Sequence, residues 1–393
     1  MTTLQQIAVV TCLLGFCLHI LTVALALRRC RQRRRCTVHD LGINANSPPV
    51  TIVRPVRGVD PYDEITLRSG FNLRYPRFEL IFCCADANDP AATLIRKLMA
   101  EHPLVSARLL TGEDRSTANP KLNNIIKGWQ ATGYEWVLIA DCNVLMPADY
   151  IQRMFDAWQS DTGLVCAPPI GSLPQGFWAE VECAFLNTYQ ARWQYAADST
   201  GFGFAQGKSM LWRRSILERA GGIRALGAEI AEDAAATKIV RRQELRVRLA
   251  DRPFDQPLGV RSWRQLWARQ VRWARLRRAT FAIFFAPEIL TCSLIPIGAG
   301  AIAAGTAGID PEIAAITLLS VWYGSEALLA RLAGWHFTML SAVAWVCRDL
   351  LIPAIWVAAW AGNSFNWRGN DMRATRSATT DMDTAAVPGK LWG

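Results

Sequence analysis

Apolar runs of two lengths divide the chain. Ile7 to Leu27 is almost unbroken, interrupted only by His19 and a few threonines. At about 21 residues it has the length a helix needs to cross a bilayer. Residues 1–6 carry no charged side chain, and six arginines follow between Arg28 and Arg35. That flank reads as stop-transfer, since a signal peptide needs a charged start and a small-residue cleavage site. The pattern predicts a membrane anchor over 1–36 with the next domain on the cytoplasmic side. Three more long apolar stretches lie near the other end, roughly Phe281 to Thr306, Glu312 to Trp335 and Thr338 to Ala361. Each is broken by charge or proline: Glu288 and Pro296, then Glu326 and Arg331, then Arg348, Asp349 and Pro353. Charges at membrane depth face a partner, a cavity or the interface. Four full spans would leave the tail outside, yet it carries Arg368, Arg373, Arg376 and Lys390. A re-entrant or interfacial segment within 281–362 removes that conflict. The tail over 363–393 is polar and rich in small residues, which predicts a partly disordered end.

Between the two regions, over 37–261, the runs are short. Strand-like segments are expected at Thr51–Arg54, Phe78–Cys84, Val105–Leu110, Trp136–Ala140, Leu164–Ala167 and Met210–Arg213. Helical patterns separate several of them, at Pro61–Leu73, Pro90–Ala100 and Lys121–Ala131. Alternation of this kind predicts an α/β fold, a mostly parallel sheet flanked by helices. Ligands of such sheets bind beyond the carboxyl ends of the strands.

Composition narrows the class. The 393 residues include 51% hydrophobic side chains and 16 tryptophans, which fits a membrane protein with one large cytoplasmic domain. The net charge of +10 clusters beside the apolar runs, so an anionic lipid surface accounts for it better than nucleic acid. The 11 cysteines form no CxxC pair and no framework, which fits a reduced setting.

The candidate chemistry sits at predicted strand ends. Asp86 and Asp141 each follow an apolar run, and Asp233 stands in Ile230-Ala231-Glu232-Asp233 ahead of a helical pattern. Structure alone could explain each: Asp141 capping a turn, Asp89-Pro90 and Asn119-Pro120 starting helices, Glu232 and Asp233 favouring a helix dipole. Chemistry offers a second explanation. A diphosphate donor needs a hard divalent cation, Mg²⁺ or Mn²⁺, and the Asp141 carboxylate with the Asn143 carbonyl can supply oxygen ligands. Lys121 suits a nucleotide's phosphates or base. Asp233 suits a general base that deprotonates an acceptor hydroxyl. Residues 262–280 interleave Trp263, Trp267 and Trp273 with Arg264, Arg269, Arg272, Arg275, Arg277 and Arg278. That mixture predicts an interfacial amphipathic helix, serving as an anchor or also as a site for arginines facing a leaving diphosphate.

Taken in order, Asp86, Asp141, Asp233 and Arg269-x-x-Arg272-Trp273 resemble the D, D, D, (Q/R)xxRW pattern of lipid-directed and processive family-2 glycosyltransferases. The chain resembles the ceramide glucosyltransferase family more closely. That likeness rests on Arg54-Pro55-Val56-Arg57-Gly58-Val59-Asp60-Pro61, Tyr75-Pro76, Asn119-Pro120-Lys121-Leu122-Asn123-Asn124, Gly163-Leu164-Val165, Thr200-Gly201-Phe202 and Ile230-Ala231-Glu232-Asp233. It runs from about 51 to 280. The resemblance implies a GT-A fold, UDP-glucose as donor, ceramide as acceptor and inversion at the anomeric carbon. It implies nucleotide contacts at Asp86 and Lys121, metal and diphosphate at Asp141, a base at Asp233, and Arg269, Arg272 and Trp273 on the diphosphate and acceptor side. Two positions depart from the pattern. Asn143 stands where many relatives of the wider superfamily carry an acid, and Ala234-Ala235 where the animal enzymes carry aromatics. The rival expectations are a hopanoid glycosyltransferase using UDP-N-acetylglucosamine, a polysaccharide synthase, and a non-catalytic membrane scaffold.

Overall fold

The computed structural model describes residues 2–31, 47–367 and 370–374. Helix α1 (Thr3–Arg31) comes first. Nine strands follow between residues 50 and 260: β1 (Val50–Val56), β2 (Phe78–Cys84), β3 (Ala107–Thr111), β4 (Trp136–Ala140), β5 (Thr162–Cys166), β6 (Pro169–Gln175), β7 (Ser209–Arg213), β8 (Arg246–Leu249) and β9 (Phe254–Val260). Seven of them form one sheet in the order β3-β2-β1-β4-β7-β5-β8, and β6 pairs with β9 in a separate parallel ribbon. Only β7 runs against its neighbours, β4 and β5. Strand β1 is buried along its whole length, and β2 and β4 nearly so. Runs apolar on both faces are what a parallel sheet covered by helices requires.

Helices α2 (Asp63–Ser69), α3 (Pro90–Glu101), α4 (Pro120–Ala131) and α5 (Tyr150–Asp156) connect the first strands. Their starts follow local chemistry. Asp89 accepts from the Ala91 N–H at 2.8 Å ahead of Pro90. Asn119 accepts from the Lys121 and Leu122 N–H groups at 2.9 and 3.1 Å ahead of Pro120. Each side chain satisfies donors that a helix start leaves open, and proline there forfeits none. Next come α6 (Phe177–Ala184), a π-helical turn over Phe185–Ala191, and α7 (Arg192–Ser199). Asn187 in that turn grips Gly171 of β6, accepting from its N–H at 2.7 Å and donating to its carbonyl at 3.1 Å. The chain continues through α8 (Arg214–Glu218), α9 (Glu232–Arg242) and α10 (Trp263–Thr280). Ser262 and Gln265 close a reciprocal capping box at the start of α10.

The apolar stretches beyond 280 form α11 (Ala282–Phe285), α12 (Leu294–Thr306), α13 (Pro311–Ala333) and α14 (Met339–Trp360). Among the described residues three helices are long and apolar enough to cross a membrane: α1, α13 and α14. The segments 282–291 and 294–306, bent by 47°, together make a fourth candidate. Helix α12 packs tightly on α1, where a Cβ on Gly15 would stand 2.6 Å from the Pro296 ring. Glu326, Arg348 and Asp349 of these helices are partnered. Glu326 receives Arg348 at 2.9 and 3.0 Å, and Arg348 also bonds Asp349 at 2.8 Å. Arg192 donates to Nδ1 of His19 at 2.8 Å, so the His19 proton is on Nε2, which donates to Ser325 at 2.9 Å.

The two ends of α14 meet α6 of the α/β domain and helix α10. At its start, Thr338 and Ser341 bond Glu180 of α6. Near its end, Arg275 and Arg278 of α10 donate to the carbonyls of Ala358 and Trp360. The first part of the tail is ordered. Strands β10 (Ser364–Trp367) and β11 (Asn370–Arg373) form a hairpin, because Phe365 and Met372 face one way and bury against Leu276 and Ala279 of α10. Arg33 to Arg35 and the residues beyond Ala374 lie outside the described part. Strands β6, β8 and β9 and the helix over 177–199 go beyond the strands and helices expected. Prolines and a glycine disguise β6, which tolerates them because it pairs on one edge only.

Candidate active site

Beyond the ends of β4 and β7, four segments converge on Gly207. Asp141 follows β4, and its N–H donates to the Lys208 carbonyl at 3.0 Å, which extends the β4–β7 pairing past the sheet. Buried Arg54 of β1 fixes the turn that follows. Its guanidinium donates to the carbonyls of Asp141, Cys142 and Val144 at 3.0–3.1 Å. Lys121, in the first turn of α4, reaches the same point. Its ammonium lies 2.7 Å from Asp141, 2.6 Å from Glu232 and 2.7 Å from the Gly207 carbonyl. Glu232 accepts a further bond from the Asn119 amide at 2.8 Å. Both of its oxygens are therefore committed to holding α4 against α9. Asp233 differs: it accepts the Gly207 N–H at 3.1 Å and the Ala234 N–H at 2.8 Å and has no cation bonded to it. There is no room at the centre. A Cβ on Gly207 would stand 2.8 Å from a Glu232 oxygen.

Lys208 completes the cluster. Its ammonium bridges Asp141 at 2.8 Å and the Asn143 side-chain oxygen at 3.1 Å. The acids consequently separate. Burial alone would raise Asp141, but the Lys121 and Lys208 ammoniums outweigh it and hold that carboxyl well below the usual range. Burial, reinforced by the Glu232 charge, pushes Asp233 up to about 6. Burial lowers Lys208, with Asp141 opposing. Burial also works against Lys121, yet Asp141 and Glu232 hold it above the ordinary lysine value. An ionised carboxylate beside one poised near neutrality is a common arrangement at sites of proton transfer.

Of the residues singled out in the sequence, Asp141, Asn143, Lys121 and Asp233 are brought together. Asp86 stands apart on the exposed turn after β2, where it accepts the Asn88 N–H at 2.9 Å. Arg269 is paired with Glu182 of α6, and its guanidinium also lies 5.9 Å from the Trp273 ring. It is close enough for its charge to bear on Lys208. Trp273 packs against Cys183, Leu186 and Leu258, and Arg272 is half-buried on the same helix. Trp263 sits between Trp178 and Trp267, at centroid distances of 4.9 and 5.3 Å. Lys208, Glu182 and Arg54 were not anticipated. The last two did leave a signal, since each is a charge inside an apolar run and must find a partner when buried.

A mostly parallel sheet with acids and lysines gathered beyond its strand ends, joined to apolar helices, is a membrane-associated glycosyltransferase of GT-A type. The chain belongs to glycosyl transferase family 21, whose profile matches residues 7–380. Its curated relatives include ceramide glucosyltransferases. Ceramide glucosyltransferase 3 of Caenorhabditis elegans is 26% identical over 93% of this chain and 80% of its own length. The ceramide glucosyltransferase of Komagataella phaffii is 26% identical over 82% of each chain. Among solved structures, the mannosyltransferase PcManGT from Pyrobaculum calidifontis, in complex with GDP-Man and Mn²⁺, shares the fold. It has a TM-score of 0.51 and 18% identity, and the match covers 91% of this chain and 98% of that one.

Proposed function

We propose that the protein transfers glucose from UDP-glucose to the primary hydroxyl of ceramide, with inversion, at the cytoplasmic face of a membrane. The observation that carries this reading is the paired acids around Gly207. Asp233 is poised near neutrality with only backbone donors, while Asp141 is locked as an anion by two ammoniums. Asp233 takes the proton from the acceptor hydroxyl as that oxygen bonds the anomeric carbon. The bond from that carbon to the diphosphate breaks on the opposite face, and UDP leaves. Lys121 and Lys208 meet the charge that develops on the leaving group, with Arg269 and Arg272 on the acceptor side. Asp86, on the rim after β2, contacts the nucleotide.

The donor set fits a divalent cation. Asp141 and Asn143 offer hard oxygens that already converge on one cation, the Lys208 ammonium. The relative from Pyrobaculum was solved with Mn²⁺. Asp141 and Asn143 would hold Mg²⁺ or Mn²⁺, which would supply positive charge against the departing diphosphate. Glu182 with Arg269 keeps α10 against α6 of the domain, and Glu288 with Arg277 ties it to the 286–291 turn, while its tryptophans reach the headgroup layer.

Topology supports the cytoplasmic placement. The arginines after α1 mark the inner side. Helix α12 runs back along α1, and α13 returns beside it. The start of α14 touches the α/β domain and its end touches α10, so the hairpin tail stays on the same side as the active site. The names of the relatives favour ceramide and glucose over a hopanoid and N-acetylglucosamine. Purified protein incubated with a panel of UDP-sugars against ceramide and hopanoid acceptors tests the reading. Glucosylceramide from UDP-glucose is the expected product. Transfer confined to hopanoid, or no transfer from any donor, would overturn it.

A further inference from the structure

A cavity of about 470 Å³ opens on the flank where α1 and α13 end. Four guanidiniums from four separate elements line it: Arg31 from the last residue of α1, Arg153 from α5, Arg252 from the β8–β9 connection and Arg331 from the last turn of α13. A single carboxylate, Asp255, faces them. Arg153 is held by Asp149 at 2.8 Å. Arg31, Arg252 and Arg331 make no hydrogen bond or ion pair with any described residue. Cationic side chains of this kind normally settle on carboxylates, and three left over at one hollow mark a place for an external anion.

Its position says which anion. Arg31 and Arg331 end two of the helices long enough to cross a membrane, so the hollow stands at the level of lipid headgroups. Its other walls are largely apolar and include Trp335, a residue type that favours the interfacial layer. A soluble phosphate needs no apolar wall, whereas the glycerol and first methylenes of a phospholipid do. We propose that this cavity binds the phosphate headgroup of an anionic phospholipid.

The site has a route to catalysis, and this part rests on the proposed function. Leu145 and Pro147 line the cavity and lie on the turn that begins at Asp141 and Asn143. Leu145 is pinned through its N–H to the Asp255 carbonyl at 2.9 Å. A headgroup seated there stiffens the turn that carries the proposed metal ligands. None of the four arginines touches the Gly207 cluster, so binding and chemistry can be assayed apart.

The test uses the full chain in phosphatidylcholine nanodiscs with and without one-fifth phosphatidylglycerol, and reads thermal midpoint and bound lipid phosphorus. Phosphatidylglycerol should raise the midpoint by several degrees, and inorganic phosphate at equal concentration should not. Arg252→Gln with Arg331→Gln should weaken phosphatidylglycerol binding about thirtyfold, the effect of two basic side chains near an anionic surface. Both arginines lack partners among the described residues, so the double variant should fold as well as the parent in plain phosphatidylcholine. Arg28→Gln removes a charge at the same membrane depth but outside the cavity, and should have a much smaller effect. Equal losses in the Arg28 variant would reduce the effect to general surface attraction and overturn the site. So would stabilisation by inorganic phosphate alone, or none by any lipid. Loss of the lipid response with glucosyl transfer intact would leave the proposed function standing. Loss of transfer in every lipid, with the lipid response kept, would do the reverse.

Discussion

Asp233 carries opposite consequences for activity and for stability, and both follow from one property. Burial and the neighbouring Glu232 charge push its carboxyl from the ordinary 3.8 to about 6. As the proposed base it must be ionised. It is about nine-tenths ionised at pH 7 and about one-tenth at pH 5, so kcat/KM should fall about tenfold per unit below pH 6. Stability runs the other way. A carboxyl whose folded pKa lies above its unfolded value stabilises fully only below pH 4, and that contribution is lost as pH rises through 6. The charged form therefore costs the fold on the order of 3 kcal/mol above pH 6, for a displacement of about two units. Asp233→Asn removes the charge but weakens the bonds from the Gly207 and Ala234 N–H groups, each worth about 1 kcal/mol. The net gain should be about 1 kcal/mol, or roughly 2–4 °C in Tm for a domain of this size. The variant should thus melt higher than the parent at pH 7.5 and no higher at pH 4. It should still bind UDP-glucose, yet lose transfer by about 10² or more. Calorimetry at the two pH values and a radiolabelled-glucose assay check both halves. A kcat/KM flat down to pH 5, or a variant less stable at pH 7.5, would refute the reasoning.

Three further outcomes are expected. Activity should vanish in chelator and return with Mg²⁺ or Mn²⁺; full turnover after exhaustive chelation would leave the diphosphate charge to Lys121, Lys208 and the arginines alone. Lys208→Met removes the ammonium that competes for Asp141 and Asn143, so Mn²⁺ should bind the free protein about tenfold more tightly or better, the scale of a hydrogen bond to a charged group; a Mn²⁺ titration followed by electron paramagnetic resonance that shows weaker binding would contradict this. Changing Trp263 and Trp267 to serine should impair glucosylation of long-chain ceramide far more than hydrolysis of UDP-glucose by water, and equal losses would make the cluster with Trp178 purely structural.

Much of the candidate site was legible because its acids follow strands that could be read directly. The bounds of β2 and β4 match the apolar runs residue for residue, and Asp86 and Asp141 fall where the runs stop. The caps at Asp89-Pro90 and Asn119-Pro120 are local chemistry and were equally plain. Asn119 is both helix cap and part of the cluster around Gly207, through the bond from its amide to Glu232. Partner choice was not legible. Lys208 looks like the polar lead-in to a strand until β7 is laid antiparallel to β4 and brings it over Asp141. Arg269 looks free until the 177–199 helix, itself unforeseen, presents Glu182. A motif marks the side chains able to do chemistry, but the charges that tune them come from segments joined only by the tertiary fold.

The buried ions of the apolar helices bear on how the acceptor meets Asp233. Two guanidiniums, Arg192 and Arg348, lie among two carboxylates, Glu326 and Asp349, so the cluster is neutral overall. Thr188 of the π-helical turn donates to Glu326 at 2.6 Å, and Arg192 donates to Thr22 of α1 at 2.8 Å. Sliding α1, α13 or α14 by one turn would leave a charge stranded in an apolar surround, which costs several kcal/mol. The cluster therefore fixes one register between these helices and the π-helical turn. That turn in turn grips β6 through Asn187, and the helix leading into it carries Glu182, which holds Arg269. On the proposed function, this ionic joint holds Asp233 at one height above the bilayer, and the lipid acceptor presents its hydroxyl there.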